Sequence, residues 1–261
     1  MAQVSSISRV GTTEPFYLQV ARNQISFHKS NFKFGFNADI DDSLETVWAQ
    51  GGLYSYLAST SVLKVSSSST ADTSAGTGAR TVELFGLDTN YDEINETVTL
   101  NGQTAVNTTN EFLRINRMVV RSAGSGGQNA GVIYAGTGTV TTGVPANKYA
   151  TIAIGDNQTV MALWTVPRGY TAYLLQTDIT VATTQNNKYC TVHLVARPDG
   201  EVFQIKDKFV KAESSVHQTY TIPLKFEEKT DIEVRAIGDS AGADIAISAG
   251  LDIIYIQNDG A

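Results

Sequence analysis

Between Val160 and Val181 the chain reads VMALWTVPRGYTAYLLQTDITV, two apolar runs meeting at Val166-Pro167-Arg168-Gly169. Pro presets φ at a turn and Gly admits backbone angles that a Cβ forbids, so this tetrapeptide marks a tight reversal. Before it, Met161, Leu163 and Thr165 alternate with Ala162, Trp164 and Val166. After it, Tyr173, Leu175, Thr177, Ile179 and Val181 share one parity. A period of two on both sides of a reversal predicts a β-hairpin with one buried face. The rhythm continues through 188–197, 202–209, 216–224, 231–237 and 243–256. Turn signals separate these runs at Gln185-Asn186-Asn187, Pro198-Asp199-Gly200, Glu227-Glu228-Lys229 and Gly238-Asp239-Ser240. With 151–154 this makes about eight antiparallel strands at the spacing of sandwiches, which predicts a jelly-roll-like β-sandwich over 146–261. Pro223 falls near a strand end, where an edge position suits it.

The first half is less regular. Residues 1–50 read as an N-terminal arm with short strands at 16–20 and 25–27, and Ser43 before Leu44-Glu45-Thr46-Val47-Trp48 could cap a helical turn. Phe32, Phe34 and Phe36 project from one side of an extended segment. That row either packs in a core or lies over a neighbouring subunit, and Phe32, Phe34 and Phe36 are candidate interface residues, as is Arg168 at the tip of the turn. Residues 51–145 read as a smaller β domain of hairpins. Its strands are expected at 80–85, 94–100, 104–108 and 112–121, with a hairpin turn at Asn101-Gly102. The small, polar stretch 65–78 is either a surface loop or a segment ordered by a neighbour. Gly136 to Asn147 reads as the domain boundary. The fold class is therefore all-β: an arm, a small β domain and an antiparallel sandwich.

Charged residues make up only 17% of the 261-residue chain, and the formal net charge is −7. A nucleic-acid partner requires a basic stripe, and an anionic membrane repels an acidic protein, so neither partner is expected. No apolar run approaches ~18 residues and no signal peptide is expected at the N-terminus. The single cysteine, Cys190, sits where it shares a strand face with Val192 and Leu194, the setting of a core residue. The three histidines (His28, His193, His217) are scattered, and no nucleophile elbow, zinc spacing or phosphate loop accompanies them. Asp88, Asn90 and Asp92 have the opening rhythm of a calcium loop but lack the glycine at the bend and the closing Glu. They are a weak cation candidate beside the plainer reading of a hairpin turn. No catalytic residue, cofactor or metal is expected, and the chain reads as non-enzymatic.

Several stretches resemble a family of virion structural proteins of tailed bacteriophages, especially phages of marine bacteria and cyanobacteria. They are Glu45 to Tyr54, Gly76 to Val82, Gly86-Leu87-Asp88, Glu96 to Gly102, Thr165 to Tyr173 and Lys229 to Arg235. The resemblance implies a location in the virion, assembled in the host cytoplasm, with no enzyme activity and no cofactor. It implies the major capsid protein or other virion proteins as partners, and a homo-oligomer such as a trimer. A capsid decoration or cement role is the reading that suits a weakly charged β protein with an extendable arm. A tail, head–tail adaptor or head-fibre component is the alternative within virions, and a glycan-binding β-sandwich for host adsorption is the alternative from another class.

Overall fold

The computed structural model describes residues 6–9, 12–183, 188–241 and 244–258, so the expected turn at 185–187 lies outside the described residues. The chain opens with β1 (Ser6–Arg9), β2 (Thr12–Pro15), the short helix α1 (Phe16–Ala21) and the long strand β3 (His28–Ile40). Next come β4 (Glu45–Thr46), β5 (Ser61–Ser67), β6 (Ala79–Leu87), β7 (Glu93–Thr99), β8 (Val106–Phe112), β9 (Arg114–Ala123), β10 (Ile133–Thr141) and β11 (Val144–Ile152). The rest are β12 (Leu163–Thr165), β13 (Tyr170–Thr183), β14 (Cys190–Arg197), β15 (Gln204–Lys211), β16 (Ser214–Phe226), β17 (Asp231–Gly238) and β18 (Ile245–Gln257).

At 62% strand and 3% helix the protein is all-β, and its sheets are antiparallel: a two-stranded β1-β2 ribbon and four larger sheets arranged as a propeller-like ring. Two sheets run in the orders β16-β13-β18-β3 and β12-β17-β14-β15, with β4 added to β17. Both contribute residues to one core that includes Trp164, Leu174, Ile179, Val192, Val234, Ile247 and Leu251. The other two, β11-β10-β5-β8 and β7-β6-β9, enclose a second core around Leu63, Leu84, Phe112, Met118, Ile133 and Ile152. Because β3 and β12 belong to the first pair, the second is a lobe inserted between them. We call the first the platform and the second the inserted lobe.

This division corrects the expected boundaries. Residues 28–40 are a sheet strand hydrogen-bonded along β18, from Ile40↔Ile245 to His28↔Ile256, and not part of an arm. Gly136–Asn147 is no boundary but most of the β10–β11 hairpin, whose tip has Thr142 at φ 48 and Gly143 at φ 79. The expected strand at 16–20 is helical: Pro15 immediately precedes it with its fixed φ, and no β-branched residue falls in its first turn. The expected helical turn at 43–48 is instead β4, paired to Arg235 and Ala236.

Of the turns expected to make hairpins, 88–92 does so between β6 and β7, whereas Pro167-Arg168-Gly169 and Asn101-Gly102 are corners between sheets. β12 pairs with β17 while β13 pairs with β16 and β18, so Pro167-Arg168-Gly169 carries the chain from one sheet to the other. Asn101-Gly102 likewise joins β7 to β8 across two sheets. There the stretch 66–73 captures the hydrogen bonds: Ser67 N–H donates to Gly102 O, and Gly102 N–H donates to Asp72 O. A bulge between Leu174 and Gln176 switches the inward parity of β13, so Ala172 and Leu174 are buried before it and Thr177, Ile179 and Val181 after it.

The small, polar stretch 65–78 is ordered from within. Asp72 is fully buried, and its carboxylate accepts from Ser67 Oγ and from the N–H groups of Ala79, Ala130 and Gly131, at 2.5–2.9 Å. One carboxylate thereby ties 66–79 to 129–131.

Candidate functional site

Chain connectivity makes the junction between platform and inserted lobe the place where side chains from distant segments converge. The chain leaves the platform through Val47-Trp48 and returns through Met161 to Trp164. Alternation along these extended segments puts Val47, Ala162 and Trp164 in the platform core and Trp48, Met161 and Leu163 in the inserted core. The two crossing segments are bridged at Trp48↔Met161 and by Ala162 N–H to Val47 O at 2.9 Å. They press on β3 at Gly35, where an added Cβ would stand 2.2 Å from both Ala162 N and Val47 O.

That contact explains the placement of the aromatic row. Lys33, Gly35 and Asn37 take the inward parity of β3, and Phe32 and Phe36 point outward, 50% and 42% exposed. Phe34 is half-buried and stacks on Phe32 at 5.8 Å. Of the two readings of the row, core packing is the one the structure corrects.

Around the crossing lies an ionic and aromatic clasp. Asp231, at the start of β17, accepts from Arg114 Nε at 2.8 Å and Nη2 at 3.1 Å, from Arg197 Nη2 at 2.6 Å and from Thr165 Oγ1 at 2.6 Å. Arg114 comes from β9 of the inserted lobe and also donates to the carbonyls of Leu57 and Leu113. Burial works against its charge, but the Asp231 carboxylate outweighs that, and the guanidinium holds its proton more tightly than usual. Two residues on, Glu233 accepts from Arg235 Nη2 at 2.9 Å, from Tyr56 Oη at 3.2 Å and from Thr46 Oγ1. The Tyr56 ring lies under both Arg114 and Arg197, and burial raises its phenol pKa well above the ordinary value.

Beside the clasp a cleft of about 560 Å³ opens between the lobes, with Lys33, Asn116, Arg117, Arg121, Glu93 and Trp164 in its lining. Lys33 is 3% exposed, and its ammonium donates to Asn116 O. Burial, with the nearby Arg117 charge adding to it, pushes its pKa down to about 7.

The residues singled out from the sequence divide differently. Arg168 donates to Asp92 through Nε at 2.9 Å and Nη2 at 2.7 Å, so the tip of one turn grips a residue of the weak cation candidate. The Asp88 carboxylate accepts from the N–H groups of Asn90 and Asp92, folding its own turn. Asp88, Asn90 and Asp92 do not converge as a cage, and among the described residues no group of three or more His, Cys, Asp or Glu is placed to hold a metal. Cys190 is buried beside Val192 and Leu194, and burial pushes its thiol up to about 11. His28, His193 and His217 sit on three different strands. No helix among the described residues is long and apolar enough to cross a membrane.

The sequence reading missed Arg114, Asp231, Glu233, Arg235 and Lys33. Asp231, Glu233 and Arg235 alternate with Ile232 and Val234, which looks like a solvated strand face. Tyr56 and Arg114 of the inserted lobe and the crossing residue Thr46 cover it instead, and that covering leaves no local signal.

No protein-family model matches the chain, and no curated protein matches it. Among solved structures it is similar to two of infectious bursal disease virus. For the Gt strain the identity is 12% over 95% of this chain and 79% of that one, with a TM-score of 0.24. For the Gx strain it is 11% over 97% and 80%, with a TM-score of 0.25. Scores this low establish no shared fold.

Proposed function

We propose that this protein is a virion structural protein, a capsid decoration or cement subunit of a tailed bacteriophage that acts through protein–protein contacts and without catalysis. The observation that carries the reading is the strand order of the platform. With β3 as strand one and β12 to β18 as two to eight, its sheets run two-seven-four-five and six-three-eight-one. That order matches two interleaved Greek keys, and with core residues drawn from both sheets it supports reading the platform as a jelly roll, a fold used in many viral shells. Jelly rolls also serve as lectins and cupins, so the sequence resemblance to phage virion proteins makes the choice among these uses.

Two further features support the role. The buried charges of the clasp join platform and inserted lobe rather than standing open, which suits a rigid part. The outer side of β3 presents Phe32 and Phe36 near α1, whose Tyr17 and Leu18 are 57% and 47% exposed, a surface suited to burial against a capsid neighbour or another copy. The test is electron cryo-microscopy of the particles with this chain located and counted. Decoration predicts density following the shell lattice in many copies. A single ring at the portal or tail would favour the adaptor or tail reading, and absence from purified particles would overturn the virion role altogether.

A further inference from the structure

The cleft between platform and inserted lobe carries charge that the protein leaves unbalanced. Four of its lining residues are ionisable at neutral pH as acids or strong bases: Lys33, Arg117, Arg121 and Glu93. Two of these are neutralised within the fold, since Arg121 pairs with Glu83, and Glu93 pairs with Lys29 at 2.7 Å. Lys33 and Arg117 have no carboxylate partner among the described residues. Each donates to a backbone carbonyl instead, Lys33 to Asn116 O and Arg117 Nη2 to Phe32 O at 3.0 Å. Below pH 7, where Lys33 is protonated, two cations line one cavity, one of them almost wholly out of water, an unfavourable arrangement. An oxyanion between them would balance both charges, and paired cationic donors are what carboxylate and phosphate recognition uses.

The remaining lining narrows the ligand. The amides of Asn31, Asn95 and Gln158 and the aromatic rings of Phe85, Trp164 and Tyr255 complete the walls. Amides that both donate and accept, set beside aromatic surface, suit a body carrying hydroxyl groups on an apolar ring face. At about 560 Å³ the cleft is within the range of small-molecule sites. We propose that this cleft is a binding site for an anionic sugar, a sugar acid or sugar phosphate, whose oxyanion is held between Lys33 and Arg117. This goes beyond the structural role and does not depend on it.

Titration calorimetry on the full chain tests it, with glucuronate, glucose 6-phosphate, glucose and inorganic phosphate as probes. Glucuronate, glucose 6-phosphate or both should bind at pH 6, at least about tenfold more tightly than glucose or inorganic phosphate. The probe that binds identifies the kind of oxyanion. Arg117→Gln, with its thermal midpoint unchanged, should weaken that binding about tenfold or more. A second readout follows from Lys33, which shares the cleft lining with Arg117, Arg121, Glu93 and Tyr255. Its amine releases its proton near pH 7 in the free protein, so glucuronate, whose own charge is constant over this range, should bind more weakly as pH rises from 6 to 8.5 and take up a proton at the higher pH. Lys33→Met should abolish that pH dependence for glucuronate. Glucose 6-phosphate, which gains its second charge in the same range, should lose the Lys33 part of its pH dependence on Lys33→Met. Equal affinity for glucose and the anionic sugars would overturn the proposal, as would binding unaffected by Arg117→Gln or inorganic phosphate binding as tightly as either sugar.

Discussion

Replacing Arg114 by Met tests whether the clasp makes platform and inserted lobe one cooperative unit. The substitution keeps most of the side-chain volume. It removes the two-pronged contact to Asp231 at 2.8 and 3.1 Å, the donors to Leu57 O and Leu113 O, and the cation above the Tyr56 ring. Breaking one side of a buried ion pair costs about 3–5 kcal/mol. Asp231 retains Arg197 and Thr165, which places the cost near the lower bound, at ~3 kcal/mol. At about 2–4 °C per kcal/mol for a chain of this size, the thermal midpoint should fall by roughly 6–12 °C. The chain has two tryptophans, one in each core, so Trp48→Phe and Trp164→Phe backgrounds report the lobes separately. Urea unfolding followed by fluorescence should give coincident curves in the parent backgrounds and separated curves once Arg114 is replaced. A loss below ~1 kcal/mol, within the range of an exposed salt bridge, would refute the clasp argument, as would curves that stay coincident after a full-sized loss.

Gly35→Ala should cost on the order of 3 kcal/mol or more, because the new methyl group meets backbone atoms of both crossing segments rather than yielding side chains; calorimetric melting checks it. Asp72→Ala strands the N–H donors of Ala79, Ala130 and Gly131, those of Ala79 and Gly131 in buried bonds, and should cost about 3 kcal/mol, with 66–79 and 129–131 gaining hydrogen-exchange rates together. Lys33 sets a pH dependence of stability: the unfolded chain keeps its proton up to about 10.5 while the folded chain releases it near 7. Stability should therefore rise with pH across that window, and Lys33→Met should flatten the rise in urea midpoints. Removing residues 1–13 should leave the melting midpoint nearly unchanged, since β1 pairs only with β2 among the described residues. Removing 1–36 takes most of β3 and should abolish cooperative unfolding.

Strand positions were legible because period-two alternation and turn residues are local, and β14 to β18 lie close to where that rhythm places them. Partner choice was not local. Pro167-Arg168-Gly169 and Asn101-Gly102 each specify a reversal, and a reversal is equally compatible with a hairpin or a step to a second sheet. The outcome is decided by what competes for the backbone: Thr230 O takes Val166 N–H at the first, and 66–73 occupies the second. The parity of β3 was misleading for a related reason. Three phenylalanines on one side promise burial, but the opposite side had to carry Gly35 where two other segments cross. Arg168 and Asp92 were each visible from the sequence for a different reason, and only the folded chain shows that they bind each other. The clasp needs three segments far apart in sequence, so its charged residues read as solvent-facing until the fold covers them.

The pairing of β3 with β18 has a consequence for synthesis. These neighbours lie near opposite ends of the chain, and most of the sequence must leave the ribosome between them. At about 5–20 residues per second that interval is on the order of ten seconds or more. The inserted lobe, complete by Leu163, can close its core during the wait, while β3 remains an unpaired strand with Phe32, Phe34 and Phe36 bare. The aromatic row that suits a docking surface in the finished molecule is thus also the segment most open to wrong pairing in the nascent one. A lobe that folds early at its C-terminal side shortens the distance over which β3 must later find its partner.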